Sequence, residues 1–312
     1  MGQLGRSLVI FVVCPGQGSQ KVGMGRDLAE RFPAARAVFE AIDDALGVRL
    51  SRTMWEGPES DLTLTHNTQP AILAHSAAVL AVIGERLAGM VGAAGHSLGE
   101  YSAHVAAGTV GAADAARLVR RRGELMFEAG TERPGAMAAV LGLATAQVEA
   151  ACSEASAAGL IAVPANLNAP DQTVISGDPA GVERAGELCK ALGARRVIAL
   201  KVSGAFHSPL MVPAVDGLHE ALRLATFEDP RVPVIANASA NAVTTGVDAK
   251  RLLIDQLTAP VRWVECVQTA ATLFPGAQFV EIGPGAVLSG LIKRILPGAA
   301  TLTLGTADEV ER

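Results

Sequence analysis

The pentapeptide Gly95-His96-Ser97-Leu98-Gly99 has the residue types and spacing of a nucleophile elbow, G-x-S-x-G. In this pattern the serine lies on a sharp turn between a strand and a helix, and the turn exposes its hydroxyl. The first N–H groups of the helix are unpaired and carry partial positive charge. They can therefore bind the oxyanion that forms when the serine attacks an ester or thioester. The pattern predicts acyl chemistry at Ser97.

The nucleophile needs a base, because a serine hydroxyl is weakly nucleophilic and histidine is the usual general base. His207 lies between a predicted strand and a predicted helix, where α/β folds place catalytic groups. We therefore predict that His207 is the base. His96 adjoins Ser97, and neighbours on a turn point in different directions, so we interpret it as a supporting residue. The other four histidines are interpreted as helical or loop residues: His66, His75, His104 and His219.

Three consecutive arginines, Arg120-Arg121-Arg122, lie in a helix predicted from 112 to 129. Successive helical residues are about 100° apart, so the three cannot share one face. One of them can turn inward, where a guanidinium is suited to bidentate binding of a substrate carboxylate. The others are expected on the solvated face.

The turn Gly16-Gln17-Gly18 follows the first predicted strand. A phosphate-binding loop is one interpretation, but the G-x-x-x-x-G-K-[ST] pattern is absent and G-x-G alone is weak. The alternative is a turn that presents a backbone N–H as a second oxyanion donor, as an early strand-to-helix loop does in α/β-hydrolases.

The elements that must position these residues alternate along the chain, which favours a largely parallel sheet with helices on both faces. The apolar runs 8–14, 90–94, 232–236 and 278–282 predict strands. Helical spacing predicts helices over 27–46, 70–88, 99–108, 112–129, 209–224 and 261–274.

The middle of the chain predicts a separate unit with the order βαββαβ. Strands are expected at 136–143, 160–166, 173–176 and 195–202, with helices at 145–158 and 179–192. This order is typical of a ferredoxin-like domain. We therefore predict the α/β class, with a hydrolase-like large domain of mostly parallel sheet (1–128 and 204–312) and an inserted ferredoxin-like small domain (129–203).

Composition excludes several functions. A formal net charge of −5 argues against nucleic acid as a partner. The four cysteines include no C-x-x-C pair, so we expect no metal site and no disulfides. The apolar run 8–14 ends in Pro15-Gly16 rather than in a cleavage site, and we find no uninterrupted apolar stretch of the ~18–20 residues that span a membrane. We expect a cytoplasmic protein that does not bind membranes.

Five motifs in order identify a family. They are P-G-Q-G-S-Q at 15–20, G-H-S-L-G-E at 95–100, R-G-E-L-M at 122–126, G-A-F-H-S-P at 204–209 and E-I-G-P-G at 281–285. Together they resemble the malonyl-CoA:acyl carrier protein transacylases, the acyltransferases of fatty-acid synthesis. The resemblance covers essentially the whole chain, including the insertion. Thr-Gln-Pro-Ala at 68–71 and the pair Asn166 and Asn168 also look like the family.

The resemblance implies roles for the residues that perform the chemistry. Ser97 would carry the malonyl group and His207 would be its base. The backbone N–H groups of Gln17 and Leu98 would bind the oxyanion, and Arg122 would bind the malonyl carboxylate.

It also implies supporting roles. Asn166, like His96, would lie near the site, and the backbone carbonyl of Gln256 would orient the histidine in place of a carboxylate. Phe206 resembles the malonyl-selective type, and Met126 belongs to the substrate-binding motif.

The implied reaction is a ping-pong transfer of malonyl from malonyl-CoA to the phosphopantetheine thiol of acyl carrier protein. It requires no cofactor, because phosphopantetheine belongs to the partner. Carrier proteins of this pathway are acidic, so a basic rim is expected to steer them, and we expect a monomer. The candidate rim residues are Arg120, Arg121, Lys190, Arg195, Arg196 and Lys201.

Three alternatives stay open from the residues alone. One is a thioesterase or other hydrolase that uses the same elbow, although such an enzyme needs no arginine for a carboxylate. Another is the malonyl transferase of a polyketide or malonate decarboxylase system, which differs in its carrier protein. The third is a scaffold without activity, which intact Ser97, His207 and Arg122 disfavour.

Overall fold

The computed structural model describes residues 9–157 and 159–312. Within this part of the chain the strands form two separate sheets. In chain order the strands are β1 (Ile10–Cys14), β2 (Met90–Gly95), β3 (Ala136–Leu141), β4 (Ala162–Ala169), β5 (Gln172–Gly177), β6 (Arg196–Ala199), β7 (Val234–Ile235), β8 (Ala242–Val243), β9 (Gln278–Ile282) and β10 (Thr301–Leu304).

Helices pack against both sheets. They are α1 (Arg26–Arg31), α2 (Pro33–Leu46), α3 (Leu50–Glu56), α4 (Glu59–Leu62), α5 (Thr65–Ile83), α6 (Gly99–Ala106), α7 (Ala112–Glu132), α8 (Thr145–Ser156), α9 (Pro179–Ala191), α10 (Val215–Leu224), α11 (Gly246–Asp255), α12 (Trp263–Leu273), α13 (Val287–Ile295) and α14 (Ala307–Glu311). Two 3₁₀ helices lie at Gly84–Leu87 and Pro209–Ala214.

The larger sheet has the strand order β10-β9-β1-β2-β7-β8. Each neighbouring pair is parallel except β7 and β8. All five residues of β1 are buried, which explains its uninterrupted apolar sequence. The predicted mixed α/β fold with a parallel sheet is confirmed. Because β1, β2 and β9 run in the same direction, their last residues Cys14, Gly95 and Ile282 meet at one edge.

The smaller sheet is antiparallel, with the order β4-β5-β3-β6. All of its strands lie between residues 136 and 199, and α8 and α9 connect them. It has its own buried cluster, which includes Val140, Ile175 and Cys189. An isolated backbone bridge from Asn166 on β4 to Val261 links this sheet to the segment before α12.

Two helices differ from their predicted bounds, and a proline is involved in each case. The helix expected over 27–46 is broken at Phe32, which is extended (φ −121°, ψ 113°) because Pro33 disfavours a helical conformation before it. The helix expected to open at Pro70 begins instead at Thr65, so His66 is helical rather than in a loop. Pro70 has no N–H to donate to the carbonyl of His66, and Arg120 Nη1 donates to that oxygen at 3.3 Å.

Helix α5 is the most apolar helix near the site. By length and composition alone, Thr65–Leu87 could cross a membrane, which the sequence analysis did not anticipate. In the structure 61% of its most apolar window is buried, and α5 packs against α2 and α7. Its apolar composition follows from this position in the core.

The elbow is packed so closely that its glycines leave no room for a side chain. A Cβ at Gly95 would lie 1.9 Å from the carbonyl carbon of Gly99, and a Cβ at Gly99 would lie 2.1 Å from the oxygen of Cys14. A Cβ at Gly16 would lie 2.5 Å from the oxygen of His96. The loop after β1 and the start of α6 therefore touch backbone to backbone.

We predict that Gly99→Ala lowers the free energy of unfolding by about 3 kcal/mol or more, because the rigid backbone of β1 cannot yield to the new Cβ. Urea denaturation followed by circular dichroism measures the change. Gly290→Ala is the matched control, since Gly290 lies in α13 with open space around it. That variant should gain about 0.5–1 kcal/mol from helix propensity. Equal stability of the two variants would contradict this packing argument.

Candidate active site

Ser97 lies on the turn between β2 and α6 with a positive φ of 52°. A residue other than glycine rarely adopts this conformation, so the surroundings must hold it. Its N–H donates to Asn237 Oδ1 at 2.7 Å, and Asn237 Nδ2 donates to the oxygen of Gly95 at 2.7 Å. The side chain of Asn237, which follows β7, thus fixes the elbow from the neighbouring strand end.

His207 is placed to accept a proton from Ser97. The distance from His207 Nε2 to Ser97 Oγ is 2.8 Å, and His207 Nδ1 lies 2.9 Å from the backbone oxygen of Gln256. A carbonyl can only accept, so Nδ1 carries the ring proton and Nε2 accepts from the hydroxyl. Burial and then the nearby Arg122 charge lower the pKa of His207 to about 3, so the ring is neutral at neutral pH. This is the protonation state of a general base.

Arg122 brings a guanidinium to the nucleophile. Only 1% of the residue is exposed, and Nη2 lies 3.1 Å from Ser97 Oγ. The same Nη2 donates to Gln256 Oε1 at 2.9 Å, and Nη1 donates to Gln69 Oε1 at 2.7 Å. Its Nε–H finds no acceptor among the described residues. The site therefore holds a buried cation in direct contact with the nucleophile.

Of the other two arginines of the run, Arg121 turns outward, as the helical spacing predicts, whereas Arg120 is part-buried against α5. Arg120 donates to Glu124 Oε1 at 2.9 Å and to Asn67 Oδ1 at 2.5 Å. Arg121 forms exposed ion pairs with Glu124 and Glu128. Arg122 is thus the member of the run that reaches Ser97.

The two predicted oxyanion donors are the backbone N–H groups of Leu98 and Gln17. They lie on the two segments that touch at the elbow, the start of α6 and the loop after β1. Leu98 precedes the first residue of α6, and Gln17 follows Gly16, which packs on His96. Neither amide N–H finds an acceptor within residues 9–157 and 159–312.

Of the two predicted supporting residues, His96 forms a hydrogen bond with a residue of the smaller sheet. Its Nε2 lies 2.7 Å from Asn168 Oδ1, and its ring packs against Trp263 with centroids 5.7 Å apart. Asn166 contributes the backbone bridge to Val261. The family resemblance implies a supporting role near the site for Asn166, and this stays a prediction, whereas the contact with His96 comes from Asn168.

Phe206 and Met126 are both buried in the main hydrophobic core. Met126 Sδ accepts a hydrogen bond from Gln69 Nε2 at 3.5 Å, and the oxygen of the same Gln69 amide accepts from Arg122. Phe206 directly precedes the base and is 6% exposed.

Three polar residues of the site were not predicted as site residues, although each carries a signal. Gln69 lies in the Thr-Gln-Pro-Ala stretch at 68–71, just before the apolar part of α5, and Asn237 follows β7 at the same sheet edge as Ser97. Glu100 ends the G-H-S-L-G-E motif and is fully buried, with its Oε2 accepting from Asn237 N at 2.9 Å and from Gln256 Nε2 at 2.7 Å. Burial raises the pKa of Glu100 to about 7, although these hydrogen bonds and Arg122 oppose the shift.

No group of three or more His, Cys, Asp or Glu side chains that could hold a metal is found in the described part of the chain. The four cysteines are buried and free. Burial raises the pKa of Cys14, which keeps its thiol protonated.

Buried histidines should make the protein unstable in acid. Burial lowers the pKa of His75 to about 4 and those of His104 and His207 to about 3. As the pH falls below 6.5, these histidines therefore bind protons in the unfolded chain before they do so in the folded protein. Glu100 and Glu281, whose pKa values are raised, oppose this with at most one proton each. We predict that the free energy of unfolding falls by about 1–2 kcal/mol per pH unit between pH 6 and pH 4.

Urea denaturation at several pH values measures this slope. His104→Gln is the informative variant, because His104 contacts Thr109 rather than the nucleophile. It should reduce the slope by up to about 1.4 kcal/mol per pH unit. Stability that is constant or rises towards pH 4 would contradict the burial of neutral imidazoles.

Comparison with known proteins places this geometry in a family. Residues 11–304 match the acyl transferase domain family. The chain is 46% identical over 303 residues to the malonyl CoA-acyl carrier protein transacylase of Bacillus subtilis, covering 97% of this chain and 95% of that protein. It is 45% identical over 301 residues to the protein of the same name from Escherichia coli K12, covering 95% of each.

Solved structures agree. One is a complex of a holo type II PKS acyl-carrier protein with its malonyl-transacylase, which matches with a TM-score of 0.93, 42% identity and 97% coverage of both chains. The match extends over nearly the full length of each relative. The chain therefore belongs to the acyl transferase domain family and, within it, to the malonyl CoA-acyl carrier protein transacylases.

Proposed function

We propose that this protein transfers a malonyl group from malonyl-CoA to the phosphopantetheine thiol of an acyl carrier protein through a malonyl-Ser97 intermediate. The observation that carries the proposal is the buried guanidinium of Arg122, 3.1 Å from Ser97 Oγ. A fixed cation beside the nucleophile suits an acyl group that bears its own carboxylate. The names of the relatives support the same substrate and carrier.

In the first half-reaction His207 Nε2 takes the proton of Ser97, and Oγ attacks the thioester carbonyl while Arg122 binds the malonyl carboxylate. The backbone N–H groups of Leu98 and Gln17 bind the oxyanion, where one such donor typically contributes about 3–4 kcal/mol. The carbon–sulfur bond then breaks. The CoA sulfur leaves with the proton from His207, and malonyl remains on Ser97.

In the second half-reaction His207 takes the proton of the phosphopantetheine thiol, whose sulfur attacks the malonyl ester. The bond to Ser97 Oγ breaks, and His207 returns the proton to that oxygen. The cycle is ping-pong and uses only groups of the chain and its two substrates, so it needs no cofactor. It is reversible, because both ends of the transfer are thioesters.

A hydrolase on the same elbow is the competing function. His207 could activate water as well as a thiol, but hydrolysis of a simple acyl chain gives Arg122 no ligand. Carriers of fatty-acid and polyketide systems both fit the chemistry at Ser97, and one similar structure holds a polyketide carrier.

We also propose a two-domain organisation. A hydrolase-like large domain (1–128 and 204–312) would contain the parallel sheet, and a ferredoxin-like small domain (129–203) would contain the antiparallel one. The element order β3-α8-β4-β5-α9-β6 and the strand order β4-β5-β3-β6 support the second assignment. Residues 1–8 and Ala158, which these ranges and the predicted helix 145–158 include, lie outside the described residues. A monomer in the cytoplasm remains our expectation.

The carrier protein would dock at the surface around β6, the edge strand of the smaller sheet. Lys190, Arg195, Arg196 and Lys201 are exposed, and they form no ion pair with a carboxylate in the described part of the chain. The segment after β6 leads directly to His207. Arg120 and Arg121 are already paired with acidic residues of their own helix, so we assign them a smaller part in attracting the carrier.

We predict that brief mixing with malonyl-CoA adds a malonyl mass to the intact protein, measured by mass spectrometry. Ser97→Ala should carry no adduct, because the attacking oxygen is gone. Arg122→Ala should lose about 10- to 100-fold in malonyl transfer relative to acetyl transfer from acetyl-CoA, the size expected for charge-assisted hydrogen bonds. Steady CoA release without an adduct would favour a hydrolase, and neither adduct nor release would favour a scaffold.

We predict that Arg196→Glu raises the KM for an acidic carrier protein about 5- to 10-fold and that added salt reduces this difference. Acylation of Ser97 by malonyl-CoA should stay unchanged. Arg52→Glu on α3 is the matched control, since it makes the same change in charge at a cation already paired with Glu56. An equal effect of both variants would contradict a local docking surface.

A further inference from the structure

Glu100 is a buried carboxyl that the proposed mechanism does not use. It lies three residues after Ser97 on α6 and is 0% exposed. Its Oε2 accepts from Gln256 Nε2 at 2.7 Å and from Asn237 N at 2.9 Å. A carboxyl group buried this deeply costs stability unless it is well bonded, so its position calls for a functional reason.

Gln256 connects this carboxyl to the arginine. Its side-chain oxygen accepts from Arg122 Nη2 at 2.9 Å, and its side-chain nitrogen donates to Glu100. A flipped amide would point its NH₂ group at the guanidinium, so that donors would face donors. The carboxylate of Glu100 accepts hydrogen bonds and thereby selects the orientation in which Gln256 Oε1 faces Arg122.

The same chain of contacts supplies charge balance. No Asp or Glu side chain forms an ion pair with Arg122 among the described residues. Glu100 is the carboxyl that reaches the guanidinium, through one intervening amide. An uncompensated buried charge is unfavourable, so the ionised form of Glu100, which its pKa of about 7 allows near neutral pH, stabilises the guanidinium through Gln256 before a substrate carboxylate arrives.

We propose that Glu100 is a positioning residue for acyl selectivity. It fixes the Gln256 amide and thereby holds Arg122 beside Ser97 Oγ, in the place where a carboxylated acyl group is bound. The inference rests on the proposed malonyl transfer, and it assigns to Glu100 a part in the preference for malonyl over uncharged acyl groups.

The test compares acylation of Ser97 by malonyl-CoA and by acetyl-CoA in Glu100→Ala and Glu100→Gln. Glu100→Ala should lower the malonyl-to-acetyl ratio of kcat/KM about 10-fold, and acetyl transfer should stay within about twofold of wild type. Glu100→Gln keeps a carbonyl acceptor for Gln256, so it should recover part of the ratio. If the alanine variant does not fold, the malonyl-to-acetyl ratio of Glu100→Gln still tests the proposal.

Coupling to Arg122 is measured in a double-mutant cycle. In an Arg122→Ala background, Glu100→Gln should not change the ratio further, because the group it positions is gone. Glu281→Gln is the matched control. Glu281 is equally buried, but its carboxylate accepts from Leu288 N and Ser289 N at the start of α13. It should lower Tm and leave the ratio unchanged.

The outcomes separate the two proposals. If wild type takes up no malonyl group, the proposed function is wrong. If wild type prefers malonyl and Arg122→Ala loses that preference, but both Glu100 variants keep the wild-type ratio, the inference about Glu100 is wrong. A parallel loss of both rates would also overturn it, since that result indicates a structural role alone.

Discussion

The site depends on the hydrogen bonds of one buried residue, Gln256. Its backbone carbonyl accepts from His207 Nδ1 and sets the tautomer of the base, and its side chain holds Arg122 and meets Glu100. A neutral carbonyl stands where many serine enzymes have a carboxylate. The imidazolium form therefore gains no stabilisation from a bonded anion, which agrees with the lowered pKa of His207.

Both reacting side chains sit on strained backbone. Ser97 has a φ of 52° and His207 a φ of 56°. Such conformations persist where the surroundings determine them, and here the parallel sheet does so. Strand ends bring Asn237 to the Ser97 N–H, while the glycines of the elbow let β1 and α6 meet at backbone distance. The smaller sheet adds a contact from Asn168 to His96.

Much of this arrangement was predictable from sequence because it is local. The elbow pattern places Ser97 between a strand and a helix, and the 100° step of a helix allows one arginine of three to face inward. Alternating strands and helices indicate a parallel sheet whose strand ends meet at one edge. The placement of His207 after a strand follows from the same reasoning. These features depend on periodicity and on a few adjacent residues, which a single sequence contains.

The remaining contacts join residues far apart in the chain, and only the tertiary structure decided them. Asn168 rather than Asn166 holds His96, because the pairing of β4 and the backbone bridge to Val261 determine which side chain reaches the elbow. Pro70 lies inside a helix, since a distant arginine donates to the carbonyl that the proline leaves unpaired. The sequence determined which groups could react, whereas long-range packing determined which amides and carboxyls hold them in place.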